Sequence, residues 1–89
     1  MEFEWDTAKA RDNEAKHNVT FAEATEVFAD SLSSTAPDPD HSLGEERFVI
    51  FGQTLGGRYL VVAFTDRGGR LRIISAREMT RRERQAYEQ

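Results

Sequence analysis

The residues of this 89-residue chain best equipped for chemistry are arginines near its end. In RIISAREMTRRERQAYE, residues 72 to 88, Arg72, Arg77, Arg81, Arg82 and Arg84 crowd within thirteen positions. A guanidinium is a planar fork that pairs bidentately with phosphate or carboxylate, so the cluster reads either as a polyanion site or as the solvated face of a final helix. The charge distribution favours the first reading. Residues 47 to 89 carry nine cations, all arginine, against four acids, a balance of +5; residues 1 to 46 carry three cations against twelve acids, a balance of -9. The formal net charge of -4 therefore hides an acidic and a basic surface with different partners. A merely soluble face has no need to avoid lysine.

Length and composition set the frame for that cluster. The chain is long enough for one domain, residues 1–89, with a single modest core that buries roughly 60% of the unfolded surface. There is no cysteine, which removes disulfides, thiolate catalysis and cysteine-ligated zinc together. No apolar run approaches the roughly 20 residues of a membrane span, and MEFEWD is acidic where a signal peptide is basic and then apolar. The expectation is a soluble, cytoplasmic protein.

The elements that position the arginines follow from hydrophobic period and turn chemistry. MEFEWD alternates, with Met1, Phe3 and Trp5 on one face and Glu2, Glu4 and Asp6 on the other, the pattern of a half-buried edge strand. Asp6 caps a helix over residues 7–17 that ends in Lys16 and His17, and Asn18 stops it in the left-handed conformation. Thr20 and Glu23 form a capping box that opens a second helix with the stripe Phe21, Ala24, Val27 and Phe28. Residues 31–46 read as the main loop, opening with at most a short strand, because Pro37 and Pro39 impose an irregular path. Three apolar runs, 47–54, 58–65 and 70–76, separated by LGG and DRGG, read as an antiparallel three-stranded meander. A second capping box, Thr80 with Glu83, opens a last helix reaching Tyr87. The expected class is α+β, an antiparallel sheet made of the N-terminal strand and the meander, with two helices between them and a C-terminal helix.

Four blocks then carry a resemblance: FEWD at the start, KHNVTFAEA at 16–24, DHSLGEERF at 40–48, and RIISAR with RRERQAYE at the end. In this order they resemble the BrnT family of bacterial type II toxins, small RelE-like ribonucleases, over almost the whole chain. One position departs, since Asn18 stands where the family has glycine; asparagine reaches the same backbone conformation. The resemblance implies a RelE-like fold and a toxin that inhibits translation and growth. It also implies a BrnA-like antitoxin with a ribbon-helix-helix half, and promoter DNA bound through the toxin–antitoxin complex.

RelE-like nucleases cleave RNA without metal: the ribose 2′-hydroxyl attacks phosphorus, leaving a cyclic phosphate and a 5′-hydroxyl. That reaction needs cations for the phosphate, a base and an acid. Arginine serves the first need but, with a pKa above about 12, not proton transfer. A regular pleat in RLRIISAR sets Leu71, Ile73 and Ser75 on one face and Arg70, Arg72 and Ile74 on the other. The expected phosphate and transition-state contacts are Arg67, Arg72 and Arg77, with Arg47, Arg70 and Arg81 binding RNA; Arg82 and Arg84 read as a solvated face. The proton carriers are sought in His41, His17, Glu45, Glu46 and Tyr87, with His41 and Glu45 favoured for catalysis. Against these stand plain structural roles: a loop histidine, carboxylates that orient arginines, a helix-end His17 and a packed Tyr87. Asp38, Asp40, His41, Glu45 and Glu46 fit no standard metal spacing, so no cofactor is expected. The alternative function is a non-catalytic subunit that binds nucleic acid or antitoxin within a promoter-regulating complex.

Overall fold

The structure, a computed structural model, describes residues 1–39 and 45–89. Strand β1 (Glu2–Glu4) leads into helix α1 (Thr7–His17), where Asp6 Oδ1 accepts from Lys9 N–H at 3.0 Å. Asn18 closes the helix at φ 56°, and its N–H returns to Glu14 O. Thr20 caps α2 (Phe21–Ala24), but only half of the expected box forms: Glu23 turns its carboxylate to Arg58 at 2.7 Å. The second helix is also shorter than its apolar stripe predicts. At Thr25, whose hydroxyl donates to Ala22 O, the chain tightens into a 3₁₀ segment, Thr25–Ala29, and Asp30 ends it by accepting from Gln53 N–H at 2.8 Å.

Strands β2 (Ser34–Pro37), β3 (Phe48–Gln53), β4 (Tyr59–Arg67) and β5 (Arg70–Glu78) complete one sheet ordered β1-β5-β4-β3-β2. Two features go further than the sequence reading. First, the short strand allowed at the head of the 31–46 segment forms: β2 is an edge strand antiparallel to β3, and Pro37 is tolerated because it sits at the end of an edge. Second, the sheet is mixed, because β1 runs parallel to β5. Alternation within β1 fixes which residues face inward but not the strand's direction against its neighbour, which only the path into α1 sets. The DRGG turn forms as expected: Gly68 and Gly69 take φ 61° and 93°, and β4 meets β5 at the Arg67↔Arg70 pair.

One sheet face carries the core. Val19, Phe21, Ala24 and Val27 pack on Ile50, Leu60, Val62, Phe64, Ile73 and Ala76, each large side chain contributing about 1.5–3 kcal/mol by burial. Phe28 bridges Phe3 and Phe64 at centroid distances of 5.1 and 5.0 Å. Trp5, on the apolar side of the N-terminal alternation, is 37% exposed and lies edge-on to Phe21. The β1–β5 pairing spans three residues; beyond it Asn13 of α1 takes the place of a strand, exchanging two hydrogen bonds with Ala76 at 2.8 and 3.0 Å. Helix α3 (Arg81–Tyr87) opens with the full Thr80–Glu83 box and has no buried residue. It is held by polar ties instead: Arg77 to Glu83, the Tyr87 hydroxyl to Asp30, and Tyr59 edge-on to Tyr87. Among the described residues, no helix is long and apolar enough to cross a membrane.

Candidate functional site

The sheet face opposite α1 and α2 gathers the arginines. Directly opposed residues of an antiparallel pair share a face, and the β4–β5 register sets Val61 against Arg77, Ala63 against Ser75, Thr65 against Arg72 and Arg67 against Arg70. Val61, Ala63, Thr65 and Arg67 alternate on one side, so their partners lie there too. The register shifts between Ala63 and Phe64, a bulge that leaves Ile74 without an opposite residue. This overturns the regular pleat expected for β5: Ser75 leaves the face of Leu71 and Ile73 and joins that of Arg72. Arg47 reaches the same side, two residues before Val49, which opposes Ala63.

Within this face lies an open cleft of about 230 Å³ lined by Asp38, Arg47, Val49, Val61, Ala63, Ser75 and Arg77. Asp38 is buried, and its N–H donates to Arg47 O at 2.9 Å, which fixes the two side chains beside one another. Asp38 Oδ2 lies 3.9 Å from Arg47 Nε, a buried donor with no hydrogen-bond partner among the described residues. Two guanidiniums, a carboxylate and a hydroxyl thus surround an apolar floor. A separate, broader depression is lined by Glu45, Thr65 and Asp66, where Thr65 Oγ1 donates to Glu46 O at 2.7 Å and pins the incoming segment.

Every arginine of this face has a carboxylate near it. Arg72 meets Glu4 at 2.8 Å, Arg70 meets Glu2 at 3.1 Å, and Arg67 meets Glu45 at 2.9 Å. Arg77 forks onto both oxygens of Glu83 at 2.8 and 2.9 Å. That fork, aided by the Thr80 N–H and opposed by burial, holds the Glu83 carboxyl down at about 2 and raises Arg77 above its ordinary value. The Arg67 hydrogen bond likewise lowers Glu45, so Glu45 is a partner of Arg67 more than a free base. Burial, then its bond to Asp30, pushes the Tyr87 hydroxyl up to about 12.

Of the residues singled out from the sequence, Arg47, Arg67, Arg70, Arg72 and Arg77 are brought to one face, and Arg47 and Arg77 to one cleft. Arg81 is not part of that cleft; it is exposed on α3 and, with Arg82, makes no ion pair among the described residues. Arg84 is not merely solvated: its guanidinium lies 4.0 Å from the Tyr59 ring centroid. His41 lies outside the described residues. Asp38 and Ser75 went unnoticed as cleft residues, because a carboxylate in a proline-rich segment and a serine beyond a bulge give no periodic signal. Glu4 was legible, since alternation already set it on the outer face of β1. No group of three or more His, Asp or Glu side chains is placed to hold a metal among the described residues.

An α+β chain that carries its helical core on one sheet face and arginines from several segments on the other is suited to an anionic partner. The chain belongs to the BrnT family: the model of the ribonuclease toxin, BrnT, of type II toxin–antitoxin systems matches residues 5–83. The 1.1 Å crystal structure of the Brucella abortus ribonuclease toxin, BrnT, is similar in fold at a TM-score of 0.67 and 26% identity, covering 91% of this chain and 99% of that one. No curated protein sequence matches. Family membership brings with it an RNA substrate and an antitoxin partner.

Proposed function

We propose that this toxin is a RelE-like, metal-independent endoribonuclease that acts in the cytoplasm, inhibits translation and growth, and is neutralised by a BrnA-like antitoxin whose complex binds promoter DNA. The observation that carries the reading is the convergence of Arg47 and Arg77 on a cleft that also holds a carboxylate and a hydroxyl. A scissile phosphate seated between the two guanidiniums has its charge balanced before and during attack, with Arg72 and Arg67 along the same face for flanking phosphates. The ribose 2′-hydroxyl loses its proton to a carboxylate of the cleft, Asp38, and attacks phosphorus. The 5′ oxygen departs and takes a proton from water, giving a cyclic phosphate and a 5′-hydroxyl. Ser75 is placed to donate to a non-bridging oxygen.

The test is cleavage of RNA by purified, antitoxin-free protein in EDTA, with the product ends identified. New 5′-hydroxyl and cyclic phosphate ends, absent with Arg72→Ala and Arg77→Ala together, support the reading. A folded double variant that cleaves as fast as wild type removes the reaction from this face; intact RNA from the wild type removes the nuclease.

A further inference from the structure

The sheet-face arginines are compensated by carboxylates, which raises the question of where the protein keeps free positive charge for a polyanion. The chain has two lysines, Lys9 and Lys16, and both line one depression of about 210 Å³ between α1 and the edge of β5 that β1 leaves uncovered. They stand seven residues apart, about 10 Å along the helix axis and on one stripe, with His17 beside Lys16. Neither lysine makes an ion pair among the described residues. One acid, Asp12, lines the same groove, and Asp6, outside it, interacts electrostatically with Lys9.

The groove is not isolated. Its wall on the sheet side is Ile74 and Ser75, and Ser75 also lines the Arg47–Arg77 cleft. The bulged segment of β5 therefore borders both depressions, one with the carboxylate-paired guanidiniums and one with the two ammonium groups that make no ion pair among the described residues. A strand threaded through the cleft and over this segment meets Lys9 and Lys16 next. We propose that the α1–β5 groove binds the sugar–phosphate backbone of the RNA flanking the cleaved bond, Lys9 and Lys16 each holding a phosphate. The proposal rests on the nuclease reading for its substrate. An acidic partner protein is the competing occupant; the shared wall at Ser75 favours RNA, because it sets the groove next to the cleft.

The experiment is fluorescence anisotropy of a 2′-O-methyl RNA oligonucleotide, which cannot undergo 2′-hydroxyl attack, titrated at several salt concentrations, alongside cleavage of the unmodified strand. The variants are Lys9→Gln with Lys16→Gln, and Arg11→Gln as an equal-helix cation outside the groove. For the lysine pair the expected result is about a tenfold loss of affinity and a salt slope shallower by about 1.4, the loss of two single-strand phosphate contacts, with KM raised and kcat held. Arg11→Gln changes neither. Equal affinity and slope in wild type and the lysine variant overturn the proposal and leave the groove to an acidic partner protein, as does an equal loss in Arg11→Gln. Wild-type protein that binds the methylated strand through the lysines yet leaves unmodified RNA whole supports the groove and fails the nuclease reading.

Discussion

Arg72 and Arg77 lie five positions apart on β5 yet face the same side of the sheet, because the bulge at Ile74 adds one residue between them. In a regular pleat an odd separation sends two side chains to opposite faces. The same bulge moves Ser75 to the arginine side and lets Ala76 enter the core, where it is fully buried. The site's arrangement is thus a property of strand pairing and not of spacing.

Replacing Arg72 with alanine is expected to raise KM for RNA by about tenfold with kcat held while the fold persists, because it removes a contact to a flanking phosphate. Arg77→Ala should lower RNA cleavage by about 100-fold or more, because it removes a charged donor from the scissile phosphate, and also loosen α3, since it strips Glu83 of its forked partner. Arg84→Ala should leave cleavage unchanged and cost about 0.5–1 kcal/mol, the worth of an exposed cation–π contact. Cleavage rates and urea unfolding of the three variants separate these outcomes.

Acid should undo the Arg77–Glu83 tie in a defined window. The folded pKa of Glu83, about 2, lies below the unfolded value near 4.5, so its stabilisation is complete above about 4.5 and is lost as pH falls toward 2. Allowing for solvent screening around Arg77, whose side chain is 42% exposed, the contribution is about 1 kcal/mol. Unfolding free energies measured from pH 7 to pH 3 should fall less steeply for Glu83→Gln than for wild type; parallel curves would assign the acid sensitivity elsewhere.

Asn13→Ala should be among the most costly single changes. Its amide satisfies the backbone N–H and C=O of Ala76 and also donates to Val19 O at 3.1 Å, so alanine leaves three backbone groups unmatched in a buried place. A loss of about 2–4 kcal/mol is expected, read as a lowered Tm and as faster amide exchange at Ala76.

Gly52→Ala tests how closely the 3₁₀ segment sits on β3. A Cβ there would fall 2.9 Å from Val27 Cβ and 3.1 Å from Val27 O, so the segment must shift, at a cost of about 1–3 kcal/mol. Equilibrium unfolding gives the value; a neutral change would mean that the segment yields freely.

What the sequence determined by itself were features written in local chemistry. Asp6, Asn18 and Thr80 mark helix ends through their own backbone and side-chain bonds, the glycines of DRGG admit positive φ, and alternation in MEFEWD separates Phe3 from Glu2 and Glu4. The charge asymmetry likewise announced a basic second half, and the quoted blocks carried the family. Tertiary structure alone decided the rest, since each remaining feature depends on a partner far along the chain. β1 is parallel to β5 because the path into α1 sets its direction, and β2 is a strand because β3 pairs with it. Glu23 abandons its capping role for Arg58, thirty-five residues on. Most consequentially, one unpaired residue in β5 decides which side chains share the arginine face, and a bulge is set by the register of two strands, which no single strand's sequence contains.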